Sequence, residues 1–305
     1  MNDMEQHNGP VVEVAGLHRR FRRKQALEDV SIKVPRGVVF GLVGENGAGK
    51  TTLVKHLLGA LKAKKGSVRV FGMDPVAHPV EVLSRTGYLS EDRDLPGWMC
   101  VGELMRYTQA FYPGWDEAYA EALRTRFALA ADARIKQLSR GEKAKAGLLM
   151  ALAYRPELLL LDEPSSGLDA SARRHILEAI VRTVAEEGRT VVFSSHLLDE
   201  VERVADVVAM VHQGRVLFQG GLDAIKEAHH RLVLHFEEDQ AALPPITGVL
   251  RGEGGGQEWV VVCDGTADQV RASAGRHGAT VVEESTPSLE EIFLARVEGR
   301  AEVGT

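Results

Sequence analysis

The chain has 305 residues, of which 44% are hydrophobic and 26% charged, as is usual for globular proteins rather than disordered or fibrous ones. Its formal net charge of −6 argues against nucleic acid as the main partner, because no broad basic field is available to collect phosphates. Residues 1–9 form a polar tail without a signal-peptide core, and no apolar run approaches the ~20 residues that span a bilayer. We therefore expect a cytoplasmic protein with one large domain and one small one.

Near the N-terminus, residues 11–14 and 30–34 alternate between apolar and polar side chains, as half-buried strands do. Between them lies a basic run, residues 18–24, around one aromatic residue, Phe21. A basic run is usually a solvated turn. Alternatively, the Phe21 ring offers a face on which adenine stacks, and the nearby cations raise the local potential for a polyphosphate. The sequence leaves both interpretations open.

The next apolar run, residues 38–43, leads through a glycine-rich loop into a helix-like segment, residues 52–58. The loop matches the phosphate-loop pattern G-x-x-x-x-G-K-[ST], in the strand–loop–helix context that the pattern requires. Its backbone N–H groups and the helix N-terminus would surround phosphates. Lys50 would reach the β- and γ-phosphates, and the Thr51 hydroxyl would take one Mg²⁺ position. The predicted nucleotide-binding residues of this loop are Gly44, Glu45, Asn46, Gly47, Ala48, Gly49, Lys50, Thr51 and Thr52.

Residues 92–154 are predicted to form a largely helical insertion, with helices over residues 101–112, 116–129 and 141–154. Ser139 and Glu142 have the spacing of a capping box at the start of the third helix, and capping alone is a sufficient explanation for both. The functional alternative is that this helix N-terminus offers its N–H groups and dipole to a phosphate. Because the insertion should hold it away from its own phosphate loop, that phosphate would belong to another subunit.

The four leucines at residues 158–161 predict a buried strand of a parallel sheet, and two carboxylates, Asp162 and Glu163, follow it. Ligands of open α/β sheets bind beyond the carboxyl ends of strands, the edge where the phosphate loop also lies. Asp162 would hold Mg²⁺ as a hard oxygen ligand, and Glu163 would orient and deprotonate the attacking water. His196 follows another buried strand, residues 190–194; a lone histidine is usually structural, but here it would hydrogen-bond the γ-phosphate.

Strands and helices alternate over residues 10–222, which predicts a parallel sheet covered on both faces. Residues 223–305 predict a small α+β domain without a chemical motif, for which a scaffold or a dimerisation surface is the default interpretation. Within it, the glycines at residues 254–256 are predicted to form a turn. The two cysteines, Cys100 and Cys263, lack metal-type spacing and are expected to be buried free thiols of a reducing compartment.

With these motifs the chain resembles the nucleotide-binding subunit of an ATP-binding cassette (ABC) transporter over residues 11–220. The motifs follow the family's order: Walker A at residues 44–51, the signature loop at 138–142, Walker B at 158–162, the D-loop at 166–169 and the switch histidine at His196. Residues 111–116 and 288–293 are most similar to bacterial ABC-2-type exporter ATPases. The resemblance implies a P-loop NTPase (ABC ATPase) core of the α/β class, with an antiparallel β subdomain and the helical insertion, plus the small α+β C-terminal domain.

The resemblance also implies ATP and Mg²⁺ as cofactors and a head-to-tail dimer with a second copy of the chain. Each ATP would lie between one subunit's phosphate loop and the other's Ser139 and Gly141. ATP binding would close the dimer, and hydrolysis would release it. A polytopic ABC-2-type permease would bind in a groove between the insertion and the core and so be coupled to that cycle. The chain would therefore lie at the inner face of the cell membrane. Residues 95–99 are the candidate lining of that groove, with core packing as the equal alternative.

Three residues depart from the family's pattern. Glu91 stands where the family usually has Gln; it can ligate Mg²⁺ as Gln does, but adds a negative charge near the γ-phosphate. Arg140 and Glu142 stand where the signature loop usually has Gly and Gln, and Arg140 would either add a cation to the partner's phosphate or face solvent. The alternatives to an exporter subunit are a soluble ABC ATPase acting on ribosomes or DNA and a regulatory ATP sensor. The single phosphate loop, the acidic balance and the lack of sustained heptads disfavour the first, while Glu163 and His196 disfavour the second.

Overall fold

The structure is a computed structural model and describes residues 9–22, 24–185 and 187–301. The chain divides into two units, the first ending at Gln219 and the second beginning at Gly220. Residues 1–8 of the predicted polar tail lie outside the described residues. Within the ranges that are described, no helix is long and apolar enough to cross a membrane.

The first unit contains two sheets. Its strands are β1 (Val12–Phe21), β2 (Lys24–Val34), β3 (Val39–Val43), β4 (Lys65–Val70), β5 (Thr86–Leu89), β6 (Leu158–Asp162), β7 (Thr190–Ser195), β8 (Val207–His212) and β9 (Arg215–Gly221). The larger sheet has the order β5-β6-β7-β3-β8-β9, and its β5–β6, β6–β7, β7–β3 and β3–β8 pairings are parallel. Every residue of β3, β6 and β7 is buried, as expected where both faces of a parallel sheet are covered. Because these three strands run parallel as neighbours, the residues that follow them meet at one edge.

The smaller sheet of this unit is antiparallel, with the order β2-β1-β4. Its strands β1 and β2 extend well beyond the two short segments that the alternation predicted. Residues 18–21 and Lys24 of the basic run therefore belong to two paired strands of a β-hairpin. Phe21 is the last residue of β1 and pairs with Lys24, the first residue of β2.

Helices cover the larger sheet and form the insertion. They are α1 (Lys50–Leu57), α2 (Pro79–Leu83), α3 (Val101–Gln109), α4 (Glu117–Arg126), α5 (Arg140–Leu152), α6 (Ala170–Ala185) and α7 (Leu198–Val204), with a 3-10 turn at Ile135–Gln137. The three predicted insertion helices correspond to α3, α4 and α5. One hydrophobic cluster joins Leu17 and Leu27 of the small sheet, Leu53 of α1, and Phe40 and Leu160 of the large sheet. The helix after the phosphate loop is thus packed between both sheets.

The second unit is an α+β domain, as the sequence predicted. It consists of α8 (Leu222–Glu227), β10 (His229–Gln240), β11 (Val249–Asp264), α9 (Ala267–Arg276), β12 (Ala279–Ser285) and α10 (Leu289–Ala301). The antiparallel sheet has the order β11-β10-β12, with a core that includes Leu232, Phe236, Val261 and Val270. Together, the two units confirm the predicted fold class.

The predicted turn at residues 254–256 is wrong, because β11 runs through these glycines. Gly254 and Gly256 take positive φ angles of 151° and 60°, which residues with side chains rarely adopt. Here the pairing of β11 with β10 changes register, between His235 and Gln240. The glycines therefore continue the strand next to a register shift instead of reversing the chain.

The two cysteines differ in accessibility, so the prediction that both are buried is wrong for Cys100, which is half-buried. Cys263 is fully buried, its Sγ donates to the His230 carbonyl, and burial raises the pKa of its thiol to about 11. Because the thiolate is the nucleophile, we expect iodoacetamide near neutral pH to alkylate Cys100 and spare Cys263. Peptide mass spectrometry would measure the extent of alkylation at each cysteine. Denatured protein, in which both cysteines should be labelled, is the control. Equal labelling of both thiols in the native protein would contradict the expectation.

Candidate functional site

A pocket of about 450 Å³ lies at the edge of the large sheet where β3, β6 and β7 end. Ten of the sequence-predicted site residues line it: Phe21, Asn46, Gly47, Gly49, Lys50, Thr51, Thr52, Glu91, Glu163 and His196. These residues come from the β1 end, the phosphate loop with α1, and the segments after β5, β6 and β7. The structure thus brings together residues up to 175 positions apart, from Phe21 to His196.

Lys50 is the first residue of α1, and its side chain is buried. Its Nζ donates to the carbonyl oxygens of Gly44 at 2.6 Å and Glu45 at 3.2 Å, so the loop's own backbone fixes the ammonium group. The same nitrogen lies 3.0 Å from Oε1 of Glu163. The buried cation therefore has both hydrogen-bond acceptors and a counter-charge, as burial of a charge requires.

The phosphate loop packs closely against β2. Gly49 has a φ of 113°, and a Cβ at this position would lie 2.5 Å from the carbonyl oxygen of Ala26, so only glycine fits. Lys50, Thr51 and Thr52 follow as the first turn of α1. The N–H groups of a first helical turn have no acceptor inside the helix, which leaves them available to an anion.

Glu163 lies between the lysine and the histidine. Its Oε2 accepts a hydrogen bond from Nδ1 of His196 at 2.7 Å, while its Oε1 faces Lys50. The side chain is buried, and the main chain has a φ of 48°, which is unusual for a residue with a side chain. Its N–H donates to both oxygen atoms of Ser194, Oγ at 3.0 Å and the carbonyl at 3.2 Å.

Asp162 is fully buried and is not among the residues that line the pocket. Its Oδ1 accepts a hydrogen bond from Oγ of Ser194 at 2.6 Å. Ser194 thus orients both acidic residues at the end of β6, a role that the sequence analysis missed. The only signal for it is a polar residue in a buried strand, and its meaning depends on the β6–β7 register, which pairs Asp162 with Ser194.

One end of the pocket is formed by the small sheet. Phe21 is 42% exposed, and the guanidinium of Arg19 lies over its ring, 4.6 Å from the centroid. Lys24 and Ala26 of β2 also line the pocket, as does Ser166 after β6. The sequence did not place these three residues in the nucleotide pocket. For Lys24 and Ala26 the reason is that β2 was predicted to begin several residues later.

Ser139 and Gly141 do not line this pocket. Ser139 is the N-cap of α5: its Oγ accepts from the Glu142 N–H, and the Glu142 carboxylate accepts from the Ser139 N–H at 2.8 Å. Hydrogen bonds from the Ser139 side chain and from the Ser139 N–H lower the pKa of the Glu142 carboxyl group. Arg140 is exposed, and its guanidinium lies against Gly167 of the predicted D-loop of the same chain.

A second set of contacts joins α6 and α7 to the segment after Glu163. Glu200 of α7 is 1% exposed, accepts a hydrogen bond from Oγ of Ser165, and lies 2.9 Å from Nε of Arg173 in α6. Burial raises the pKa of its carboxyl group, opposed by Ser165 and Arg173. The sequence could not reveal this network, because it depends on how α6 and α7 pack.

The pocket fits a nucleoside triphosphate with a hard cation. Its oxygen donors include the Thr51 hydroxyl, the Glu91 carboxylate and Oε1 of Glu163, a buried atom that accepts no hydrogen bond. Oxygen ligands of this kind suit Mg²⁺. Among the described residues, no group of three or more His, Cys, Asp or Glu side chains could hold a metal. Mg²⁺ usually keeps several waters and is bound by one or two side-chain oxygens together with substrate phosphates.

Known proteins from several bacteria match the chain. A family model described as ABC transporter matches residues 27–166. The chain is 32% identical to the ABC transporter ATP-binding protein NatA of Bacillus subtilis (strain 168), over 74% of this chain and 96% of that protein. It is 30% identical to the daunorubicin/doxorubicin resistance ATP-binding protein DrrA of Streptomyces peucetius, over 93% of this chain and 91% of that protein. A solved ATP-binding subunit of an ABC transporter is 31% identical, with a TM-score of 0.65 over 71% of this chain and 92% of that one.

Proposed function

The chain belongs to the ABC transporter family, and on that premise we propose that it is the ATP-hydrolysing subunit of a membrane exporter. The family binds ATP with Mg²⁺, and the chain is an ATPase. One observation carries the assignment of the hydrolytic site: in a single pocket, Glu163 lies 3.0 Å from Lys50 and 2.7 Å from His196. A purely regulatory ATP sensor would not need a carboxylate placed between these two groups.

In the proposed nucleotide complex, adenine stacks on the exposed ring of Phe21. The phosphates lie along the loop of residues 44–49 and the first turn of α1, where N–H groups and the helix dipole favour negative charge. The ammonium group of Lys50 is the nearest cation to the β- and γ-phosphates. Its contacts with the Gly44 and Glu45 carbonyls keep it at the pocket while it pairs with the phosphates.

Glu163 acts as the general base in this proposal. It accepts a proton from the water that attacks the γ-phosphorus, so that ATP and water give ADP and inorganic phosphate. His196 orients the Glu163 carboxylate through Nδ1, and its other nitrogen would face the γ-phosphate. Thr51 and Glu91 would hold Mg²⁺ at the pocket, and Asp162, which does not line it, would act on the ion through water. When bound, Mg²⁺ would neutralise charge that develops on the phosphates.

The proposal places a second copy of the chain head-to-tail against this pocket. Ser139 and Gly141 lie outside their own pocket, and the N-terminal residues Ser139 and Arg140 of α5 are exposed. In the dimer, the Ser139 hydroxyl would exchange its contact with the Glu142 carboxylate for a phosphate oxygen of the partner's nucleotide. Each complete site would then need a phosphate loop from one copy and the start of α5 from the other.

As an exporter subunit, the chain would bind a polytopic permease of the ABC-2 type and would lie at the inner face of the membrane. The insertion exposes three large aromatic side chains, Trp98 at 70%, Phe111 at 64% and Tyr107 at 50%. Exposed aromatic side chains mark interaction surfaces more often than isolated aliphatic ones do. Of the candidate docking segment, Met99 is buried at 4% exposure, so Trp98 is its main contribution to a partner surface.

Affinity purification of the tagged chain from detergent-solubilised membranes tests this proposal. We expect a polytopic membrane protein to co-purify, and Trp98→Ala with Phe111→Ala to reduce its recovery at least about threefold, since interface aromatics often dominate binding. The ATPase rate of the isolated double variant should stay unchanged, because neither side chain lines the nucleotide pocket. Recovery of ribosomal proteins or DNA in place of a membrane protein would refute the exporter assignment.

A further inference from the structure

Arg93 is a buried arginine in the segment that joins β5 to the helical insertion. Its side chain is 6% exposed and does not line the nucleotide pocket. Its Nη2 donates to the carbonyl oxygens of Ser166 at 2.9 Å and Pro164 at 3.0 Å, and it lies 3.4 Å from that of Glu163. A buried cation loses its hydration, so these carbonyl contacts are what offset the cost of burial. One guanidinium group therefore fixes the main chain over residues 163–166.

The main chain at this point needs outside support. Glu163 has a φ of 48°, and such conformations cost about 1–3 kcal/mol in residues other than glycine and persist only where neighbours enforce them. On the N–H side, Ser194 supplies two acceptors. On the carbonyl side, the three oxygens face Arg93. The main chain of Glu163, the proposed base, is thus held on its N–H side by Ser194 of β7 and on its carbonyl side by Arg93.

Arg93 also belongs to the turn that presents Glu91 to the pocket. Its N–H donates to the Ser90 carbonyl at 3.3 Å, which closes a four-residue turn around Glu91. Arg93 itself has a φ of 50°. The backbone of Arg93 therefore shapes the Glu91 turn, while its side chain shapes the segment that follows Glu163.

We propose that Arg93 is a positioning residue for ATP hydrolysis, which aims Glu163 by clamping the main chain of residues 163–166 to the Glu91 turn. The inference rests on the proposed hydrolytic role of this pocket. Arg93 touches no reacting group, so its loss should slow the chemical step and leave nucleotide binding largely intact. Ser166 lines the pocket, and Arg93 holds its carbonyl as well, so the clamp also fixes part of the pocket wall.

Two variants of the full chain test the proposal. Arg93→Met keeps the length of the side chain but removes every donor, whereas Arg93→Lys keeps a cation that can reach one or two of the carbonyls. For Arg93→Met we expect kcat to fall at least about tenfold and KM for ATP to change by less than about threefold, the pattern of an interaction needed in the transition state. Arg93→Lys should recover a clear part of that loss. Phosphate release gives both constants, and fluorescent-nucleotide titration checks binding.

Arg85→Met is the matched control. Arg85 is also partly buried, bonds both carboxylate oxygens of Glu157, and stacks over the Phe71 ring at 3.9 Å, but it lies outside the nucleotide pocket. Its loss should lower thermal stability and leave kcat per folded chain unchanged. Wild-type kcat in Arg93→Met, or a fall that Arg85→Met reproduces, would overturn the positioning role while leaving the ATPase assignment intact. A wild-type chain without ATP turnover would instead overturn the proposed function itself.

Discussion

Replacing Glu163 with Gln is expected to lower kcat for ATP hydrolysis by at least about a hundredfold, the usual scale of a lost general base. Gln has nearly the same shape, and its amide oxygen can still accept the hydrogen bond that His196 donates to Glu163. It cannot take a proton from water near neutral pH. The phosphate loop is unchanged, and Lys50 loses a carboxylate that competes with phosphate for its ammonium group. We therefore expect ATP to bind at least as tightly and the ATP-bound variant to accumulate as a dimer.

Single-turnover phosphate release and size-exclusion chromatography with ATP measure the two effects of Glu163→Gln. Glu157→Gln is a suitable control, because it makes the same chemical change in a residue that pairs with Arg85 outside the pocket. That control should retain wild-type turnover and remain monomeric under the same conditions. Wild-type turnover in Glu163→Gln would remove Glu163 from the role of base and leave the rest of the pocket without an assigned proton acceptor.

The parts of the site that the sequence predicted are those that depend on local order along the chain. The phosphate loop follows a buried strand and begins a helix, so residues 44–52 could be recognised without knowing any other part of the fold. Glu163 and His196 follow apolar runs that could only be central strands, and parallel strands bring their ends to one edge. The roles assigned to these residues remain predictions until the variants are measured.

The parts that the sequence did not predict depend on contacts between distant segments. Ser194 orients Asp162 only because of the register between β6 and β7. Arg93 is one of many arginines in the sequence, and a charged residue in a connecting segment is usually solvated. Its burial follows from the carbonyl groups after β6, about 70 residues away, which no local pattern indicates.

These long-range contacts converge on the short segment that follows β6. Ser194 bonds the N–H of Glu163, Arg93 bonds the carbonyls of Pro164 and Ser166, and Glu200 accepts a hydrogen bond from Ser165. The segment is therefore held from β7, from the connection to the insertion, and from α7. A movement of the insertion that shifts Arg93 would shift the main chain that carries the proposed base. The proposed permease, if it binds the insertion, would then have a physical route to the hydrolytic site.

Lys50→Ala and Ser139→Ala are each expected to abolish steady-state ATP turnover, since each removes one wall of every site in a homodimer. An equimolar mixture of the two variants should regain about a quarter of the wild-type rate, because half of the randomly paired dimers are mixed and one of their two sites is intact. In that site the Ser139→Ala chain supplies Lys50, and the Lys50→Ala chain supplies Ser139. Phosphate release as a function of mixing ratio measures the recovery, which should be greatest at equal amounts.

The mixture also separates a loss of chemistry from a loss of folding. Ser139→Ala removes the N-cap of α5, which costs about 0.5–2 kcal/mol of stability, so its inactivity alone would be ambiguous. Recovered turnover requires that this chain be folded with a working phosphate loop. Mixing Lys50→Ala with the Lys50→Ala, Ser139→Ala double variant should recover nothing, because no dimer then contains Lys50. If the mixture of single variants also stays inactive although both are folded and form dimers, the shared site is refuted. A site built from two chains must be restored when each chain supplies the residue that the other lacks.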